Sequence, residues 1–299
     1  MRHLLPDPDA AALQQALQAL LPGLVVEQVA QIGSTSSELL ERAHRAPSGP
    51  PCLLVARRQT QGRGRQGKAW LSSPGASLTF SLALPLAPAD WSGLSLAVGL
   101  ALADALDPPQ SGLPARLGIK WPNDLLLVDA APGQASRADP DAPPSPRQAG
   151  APGRKIGGIL IETVPGQARR TAVVGVGLNV LPLQATPEQV AALPWGHADL
   201  QQLIPGIDAA RALARVAVPL LRALLHFERT GFAPLRAAFA RRDLLAGQAV
   251  RSSLADGPQG IADGVDATGA LWLRDGGHRT AVRSGEISLR PATDGGRRG

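Results

Sequence analysis

The sequence predicts an α/β (α+β) chain: a mixed sheet with helices over residues 1–246, then a small β-barrel over 247–299. Three observations lead there. Segments with helical spacing alternate with short apolar strand-like runs from residue 9 to residue 128. Two apolar runs, 156–163 and 171–180, flank VPGQARR, which reads as a hairpin connection. Beyond Gly247 only short alternating runs remain, punctuated by Gly and Asp. A chain of 299 residues with 44% hydrophobic content can bury one large core and a smaller one.

In order along the chain, residues 9–21 have helical spacing with Asp9 as N-cap, and 24–32 read as a strand. In GSTSSELLERA, Thr35 and Glu38 fit a capping box, placing a helix start near Ser36. Residues 52–57 form a buried strand, and 59–75 a polar, Gly-rich loop. Residues 77–84 follow as a strand, and 90–106 as a buried helix begun at Asp90. Residues 117–120 lead into a Trp-Pro-Asn-Asp turn, then the apolar run 125–128. Residues 129–153 are Ala, Pro, Gly, Asp and Ser with almost no large apolar residue, and read as a disordered insertion. Helices are expected over 208–229 and 233–244.

Composition removes several function classes. Cys52 is the single cysteine, which excludes an internal disulfide or a multi-cysteine metal site. No segment reads as a secretion signal or a membrane span, so a cytoplasmic address is the default and no membrane partner is expected. The net charge of +6 reflects scattered arginines more than a nucleic-acid surface, and suits an anionic nucleotide or an acidic carrier protein. The chain has only three lysines, Lys68, Lys120 and Lys155, and only two asparagines, Asn123 and Asn179. All five lie in or beside Gly-rich or Trp-Pro segments. Lysine kept there by an arginine-using chain suggests sites that need a compact point charge.

Four segments carry chemistry. QTQGRGRQGKAW (59–70) contains Gly62-x-Gly64-x-x-Gly67, yet no helix follows, so it is no dinucleotide fingerprint. Its glycines and the guanidinium groups of Arg63 and Arg65 suit a loop that folds over an anion. In GIKWPNDLLL, Lys120, Asn123 and Asp124 offer a cation, an amide and a carboxylate, although Asn and Asp are also ordinary turn residues. In RKIGGILIET, Lys155 precedes Gly157 and Gly158, where a ligand could press on the backbone. In VVGVGLNV, Gly175, Gly177 and Asn179 share one strand face and suggest a flat floor for a cyclic ligand. There is no P-loop, H-E-x-x-H or G-x-S-x-G, and the five histidines are isolated.

Ser34-Thr35, QTxGRGRxGxxW from Gln59, KWPND at 120–124, KxxGIL at 155–160 and GxGxN at 175–179 occur in this order, so the chain resembles the biotin–protein ligase family. GALWL and GEISLR near the end are similar to that family's C-terminal module. The resemblance implies a class II synthetase-like domain followed by an SH3-like barrel. It implies that biotin and ATP, with Mg²⁺ carried on the ATP phosphates and no protein metal site, yield biotinyl-5′-AMP. The biotinyl group would then pass to a lysine of a biotin carboxyl carrier protein. It assigns Ser34, Thr35, Ser36 and Gln59 to biotin, with Arg63, Gly64, Gly158, Gly175 and Gly177 lining the same pocket. Arg63, Arg65, Lys120, Asn123, Asp124 and Asn179 fall to the nucleotide. Lys155 would touch both the biotin carboxylate and the α-phosphate. Lys155, Arg65 and Asp124 are the catalytic candidates, Asp124 as base or as orienting carboxylate. Ser36 stands where the family usually has Asn, and Arg57-Arg58 where an acidic residue is common. Some members carry an N-terminal winged helix, for which the residues before Ser34 are too few, so DNA binding is not expected. Dimers of the family form through strand edges. The nearest rival is a lipoate–protein ligase, against which the GRGRQGKAW loop and KWPND argue.

Overall fold

The computed structural model describes residues 8–111, 113–128, 153–166, 169–182, 196–252, 257–283 and 289–291. The insertion expected over 129–153 falls outside them except for Gly153, as does the Asp9 side chain. Most of GEISLR also falls outside.

A seven-stranded sheet organises the first part. Its strands are β1 (Val25–Val29), β2 (Cys52–Ala56), β3 (Ser77–Leu86), β4 (Leu117–Lys120), β5 (Asp124–Leu127), β6 (Arg154–Val164) and β7 (Arg170–Asn179). They lie in the order β1-β2-β3-β7-β6-β5-β4. β1 and β2 are parallel, and every other neighbouring pair is antiparallel. The expected hairpin is β6–β7. Alternation along these strands decides what each face does. Leu78, Phe80, Leu82 and Leu84 of β3 and Val174, Val176 and Leu178 of β7 enter the main core. Helices α1 (Pro8–Leu20), α3 (Leu94–Leu106) and α4 (Ala209–Thr230) close that core. A single helix, α2 (Thr35–Arg45), covers the other face through Leu39, Cys52, Leu54, Ala83 and Val173. The rest of that face is left for a site.

Three element starts or ends differ from the sequence reading. Ser34, not Thr35, caps α2, its hydroxyl accepting from Ser37 N, because the Thr35 hydroxyl is used elsewhere. Helix α3 starts at Leu94 behind Gly93, while Asp90 accepts from Ser92 N in the preceding turn. The helix expected over 233–244 is a 3₁₀ turn at Ala233–Leu235 and then α5 (Arg236–Ala240). It stops because Arg242 is drawn inward, bonding Asp104, Asp107 and the Leu117 carbonyl.

The C-terminal module is a five-stranded antiparallel sheet of β8 (Ala249–Ser252), β9 (Gln259–Val265), β10 (Leu271–Asp275), β11 (His278–Val282) and β12 (Leu289–Pro291). Its last strand returns beside its first. Asp266 accepts from the backbone of Thr268 and Ala270, which shapes the turn between β9 and β10. That turn reaches the large sheet: buried Trp121, between β4 and β5, donates its indole N–H to Gly269 O at 3.0 Å. Gly269 has φ +82°, and a Cβ there would lie 2.8 Å from Gly93 Cα. Gly269→Ala would therefore combine a left-handed penalty with a backbone collision, a loss of about 2–4 kcal/mol. A lowered midpoint in urea unfolding is the expected result; an unchanged midpoint would show that this contact does not hold the two parts together.

Candidate active site

The part of the large-sheet face left open by α2 carries a cavity. Every residue named from sequence lines it: Ser34, Thr35, Ser36, Gln59, Arg63, Gly64, Arg65, Lys120, Asn123, Asp124, Lys155, Gly158, Gly175, Gly177 and Asn179. All three lysines and both asparagines of the chain are among its walls.

Local geometry explains how they meet. The β1–β2 pairing continues as a bridge between Ile32 and Gln59, which sets Ser34-Thr35 beside Gln59. Thr35 N then donates to Gln59 Oε1 at 2.7 Å. Residues 62–70 form a small hairpin, with Gly64 N donating to Lys68 O and Trp70 N to Gly62 O. The sequence suggested that glycine backbone would face the ligand, but the Gly64 N–H is spent inside the hairpin. Gly62 is needed because a Cβ there would lie 2.5 Å from Trp70 O. Between β5 and β6 the register shifts, pairing Leu125 with Gly157 but Leu126 with Lys155. This bulge turns Lys155 to the same face as Gly158, which strict alternation would not do.

The floor expected from Gly158, Gly175 and Gly177 is present, but part of it is taken. Trp70 lays its indole on Gly177 and Gly158, where a Cβ would come within 2.3 and 3.2 Å of the ring. Lys155 Nζ sits 5.6 Å from the Trp70 ring centroid. Trp70 was missed as a site residue; its signal was a lone aromatic closing a Gly-Arg loop. Lys68 also lines the cavity and was noted only for its rarity. His197, isolated in the sequence, lines the cavity as well, and burial lowers its pKa.

The cavity has two chemically distinct ends. Around Gly175 the groups are mostly neutral, Ser34, Thr35, Ser36, Gln59 and, behind them, Ser81, and the Arg63 guanidinium on this side is paired with Glu162. Around Asn179 the groups are charged. Asp124, with 13% of its side chain exposed, pairs with Lys155 at 2.7 Å and with Lys120 at 3.9 Å. Burial pushes the Asp124 carboxyl up, but Lys155 and then Lys120 outweigh it and hold the pKa below the ordinary value. Asp124 is therefore held in its ionised form near neutral pH. Arg65 Nη1 donates to Asn123 Oδ1 at 3.3 Å, and Asn123 Nδ2 donates to Ile159 O. Asn179 Nδ2 bridges Lys155 O and Ala198 O. Arg63 reaches away from this end to Ser37 and Glu162. Four cations around one carboxylate suit a polyanion better than a bare metal ion, and no metal-ligating group of three side chains occurs among the described residues.

Lys120 is pushed down to about 8, by burial first, with Asp124 opposing and Lys155, Lys68 and Arg65 adding to the fall. Between that value and the ordinary 10.5, the unfolded chain binds more protons than the folded one. The destabilising contribution is thus full below about pH 8 and fades as pH rises towards about 10.5. Lys120→Met is expected to be more stable than wild type at pH 7, by about 3 kcal/mol at most. That margin should shrink on passing from pH 8 to 10.5, as read by thermal unfolding at each pH. A margin independent of pH would contradict the buried-cation account.

A profile of the biotin/lipoate A/B protein ligase family matches residues 29–179. The chain is 33% identical over 267 residues to the biotin--[acetyl-CoA-carboxylase] ligase of Mycobacterium tuberculosis, covering 88% of each protein. It is 32% identical over 297 residues to the bifunctional ligase/repressor BirA of Escherichia coli, covering 97% of this chain and 82% of that protein. The biotin protein ligase of Aquifex aeolicus, solved in complex with biotin and ATP, shares the fold. Its TM-score is 0.66 at 24% identity, over 91% of this chain and 100% of that one. With cavity, sheet and motif order in agreement, the chain belongs to the biotin/lipoate A/B protein ligase family, among its biotin--[acetyl-CoA-carboxylase] ligases.

Proposed function

We propose that this chain activates biotin with ATP and transfers it to a lysine of a biotin carboxyl carrier protein. The observation that supports this best is the two-ended cavity. One end offers neutral hydroxyls and an amide, as a ureido ring requires. The other gathers Arg65, Lys68, Lys120 and Lys155, as a carboxylate meeting a triphosphate requires.

In the first step a biotin carboxylate oxygen attacks the α-phosphorus, the bond to pyrophosphate breaks, and biotinyl-5′-AMP forms. The two reactants repel each other in water. Lys155, at the junction of the two ends, can place one compact charge between them, and Asp124 holds its ammonium in position. Arg65 offsets charge as pyrophosphate leaves. The donor set suits Mg²⁺ carried on the triphosphate, where the ion supplies charge neutralisation. In the second step the carrier amine attacks the acyl carbon and AMP departs. The 62–70 hairpin, with Trp70 beneath it, keeps water from the mixed anhydride in between.

The same reading takes 1–246 as the catalytic domain and 247–299 as a barrel packed against its Trp121-Pro122 turn. A cytoplasmic address belongs to the proposal; no helix among the described residues is long and apolar enough to cross a membrane. It includes no DNA partner. It allows a homodimer through a sheet edge, where β1 and β4 are the outer strands.

The deciding assay mixes the chain with ATP, Mg²⁺, a carrier domain and either biotin or lipoate, and weighs the carrier. A biotin-sized mass gain is expected, and a lipoyl-sized gain alone would reverse the substrate. Lys155→Ala should lower biotin-dependent ATP–pyrophosphate exchange at least about 100-fold, the scale of one lost transition-state contact. Near-normal exchange would remove Lys155 from its role. Arg65→Gly should release the adenylate early in a single-turnover trap; retention equal to wild type would refute the lid.

A further inference from the structure

We propose that Ser81, which does not line the cavity, fixes the direction of the hydrogen bonds at its neutral end, so that Ser36 meets the ligand as an acceptor only. The inference rests on the biotin reading and adds a positioning residue to it.

The direction follows by elimination. Thr35 N is a backbone donor, so the Gln59 atom 2.7 Å away must be the oxygen. Thr35 Oγ1 lies 3.0 Å from the same oxygen and can only donate to it. Its one proton is then used, so Ser81 Oγ, at 2.7 Å, donates to Thr35 Oγ1. Ser81 has no proton left for Ser36 Oγ at 2.9 Å, so Ser36 donates to Ser81. Only lone pairs of Ser36 remain for the cavity it lines. At the other terminus Gln59 keeps its amide NH₂ as a donor.

The relay is well insulated. Ser81 is fully buried, Thr35 is 2% exposed and Ser36 is 6% exposed. Ser81 pairs in register with Gly175, where a Cβ would lie 2.4 Å from Ser36 Oγ. The glycine therefore makes the room in which Ser36 can reach Ser81. A buried chain of this kind resists reversal, because turning one hydroxyl leaves a neighbour unpaired. The resulting pattern, acceptor at Ser36 and donor at Gln59, is the complement of a cyclic urea, which donates N–H and accepts at C=O.

The probes are biotin and its two cyclic carbamates, in each of which one ring N–H is replaced by oxygen. Binding is measured by titration calorimetry on the full chain. Wild type should bind one carbamate roughly 10–100-fold more weakly than biotin, since two lone pairs would then face each other. In Ser81→Ala the freed Ser36 hydroxyl can turn its proton to the ring oxygen. The ratio should fall to within about threefold, although biotin itself binds less tightly. Ser81→Thr keeps the hydroxyl and should keep the ratio. A merely structural role for Ser81 would weaken all three ligands alike. An undiminished ratio in Ser81→Ala overturns the proposal. So does equal binding of biotin and both carbamates to wild type, a result that needs no variant. Should Ser81→Ala fail to fold, Ser36→Ala must collapse the ratio, and a ratio retained there overturns the proposal too. Failure of wild type to bind biotin at all overturns the biotin reading, and this inference with it.

Discussion

The site depends on one carboxylate. Asp124 sits where Lys155, Lys120 and Arg65 converge, and it is the charge that lets them share a half-buried space. Like charges a few ångströms apart in a low-dielectric pocket repel by several kcal/mol. Burial loosens the Lys120 proton first, the neighbouring cations add to the fall, and Asp124 opposes it. With a single negative charge among four cations, the pocket stays short of anions. On the proposed function, a carboxylate and a triphosphate would supply what is missing.

The backbone that holds Asp124 is set by features with no catalytic chemistry of their own. Trp121 is buried and tied to Gly269 of the C-terminal module, which anchors the turn before Asn123 and Asp124. Asn123 binds Ile159 O with its amide, while its own carbonyl accepts from Ile159 N. The adjacent bulge then turns Lys155 towards Asp124. The small module thereby contributes to the geometry of the charged end without lining the cavity.

Most strands and all the cavity walls named in advance were legible in the sequence, because each rests on local pattern. Glycines at 175 and 177 declare a strand face, and rare lysines declare charge placement. What stayed hidden depends on partners far along the chain. The end of α5 is decided by Arg242 reaching Asp104, 138 residues away. The cap of α2 moves to Ser34 because Ser81, 46 residues from Thr35, claims the threonine hydroxyl. The Lys155 side chain follows a bulge that alternation cannot foresee. Ser81 did leave a trace. Ser77, Thr79 and Ser81 place hydroxyls on one face of an otherwise apolar strand, an alternation that marks a face turned away from the core.

The two ends of the cavity are held at a fixed separation by β7. Gly175 marks the neutral end and Asn179 the charged one, four residues apart, so roughly 13 Å of rigid strand lies between them. Trp70 covers the middle at Gly177. A ligand that satisfies both ends must carry a neutral hydrogen-bonding ring and an acid separated by an apolar spacer. On the proposed function, a ring without the acid would reach only the neutral end, and an acid without the ring only the charged one. Selectivity and activation, on that same function, come from one ruler: the contacts that choose the ring would also deliver the carboxylate to Lys155.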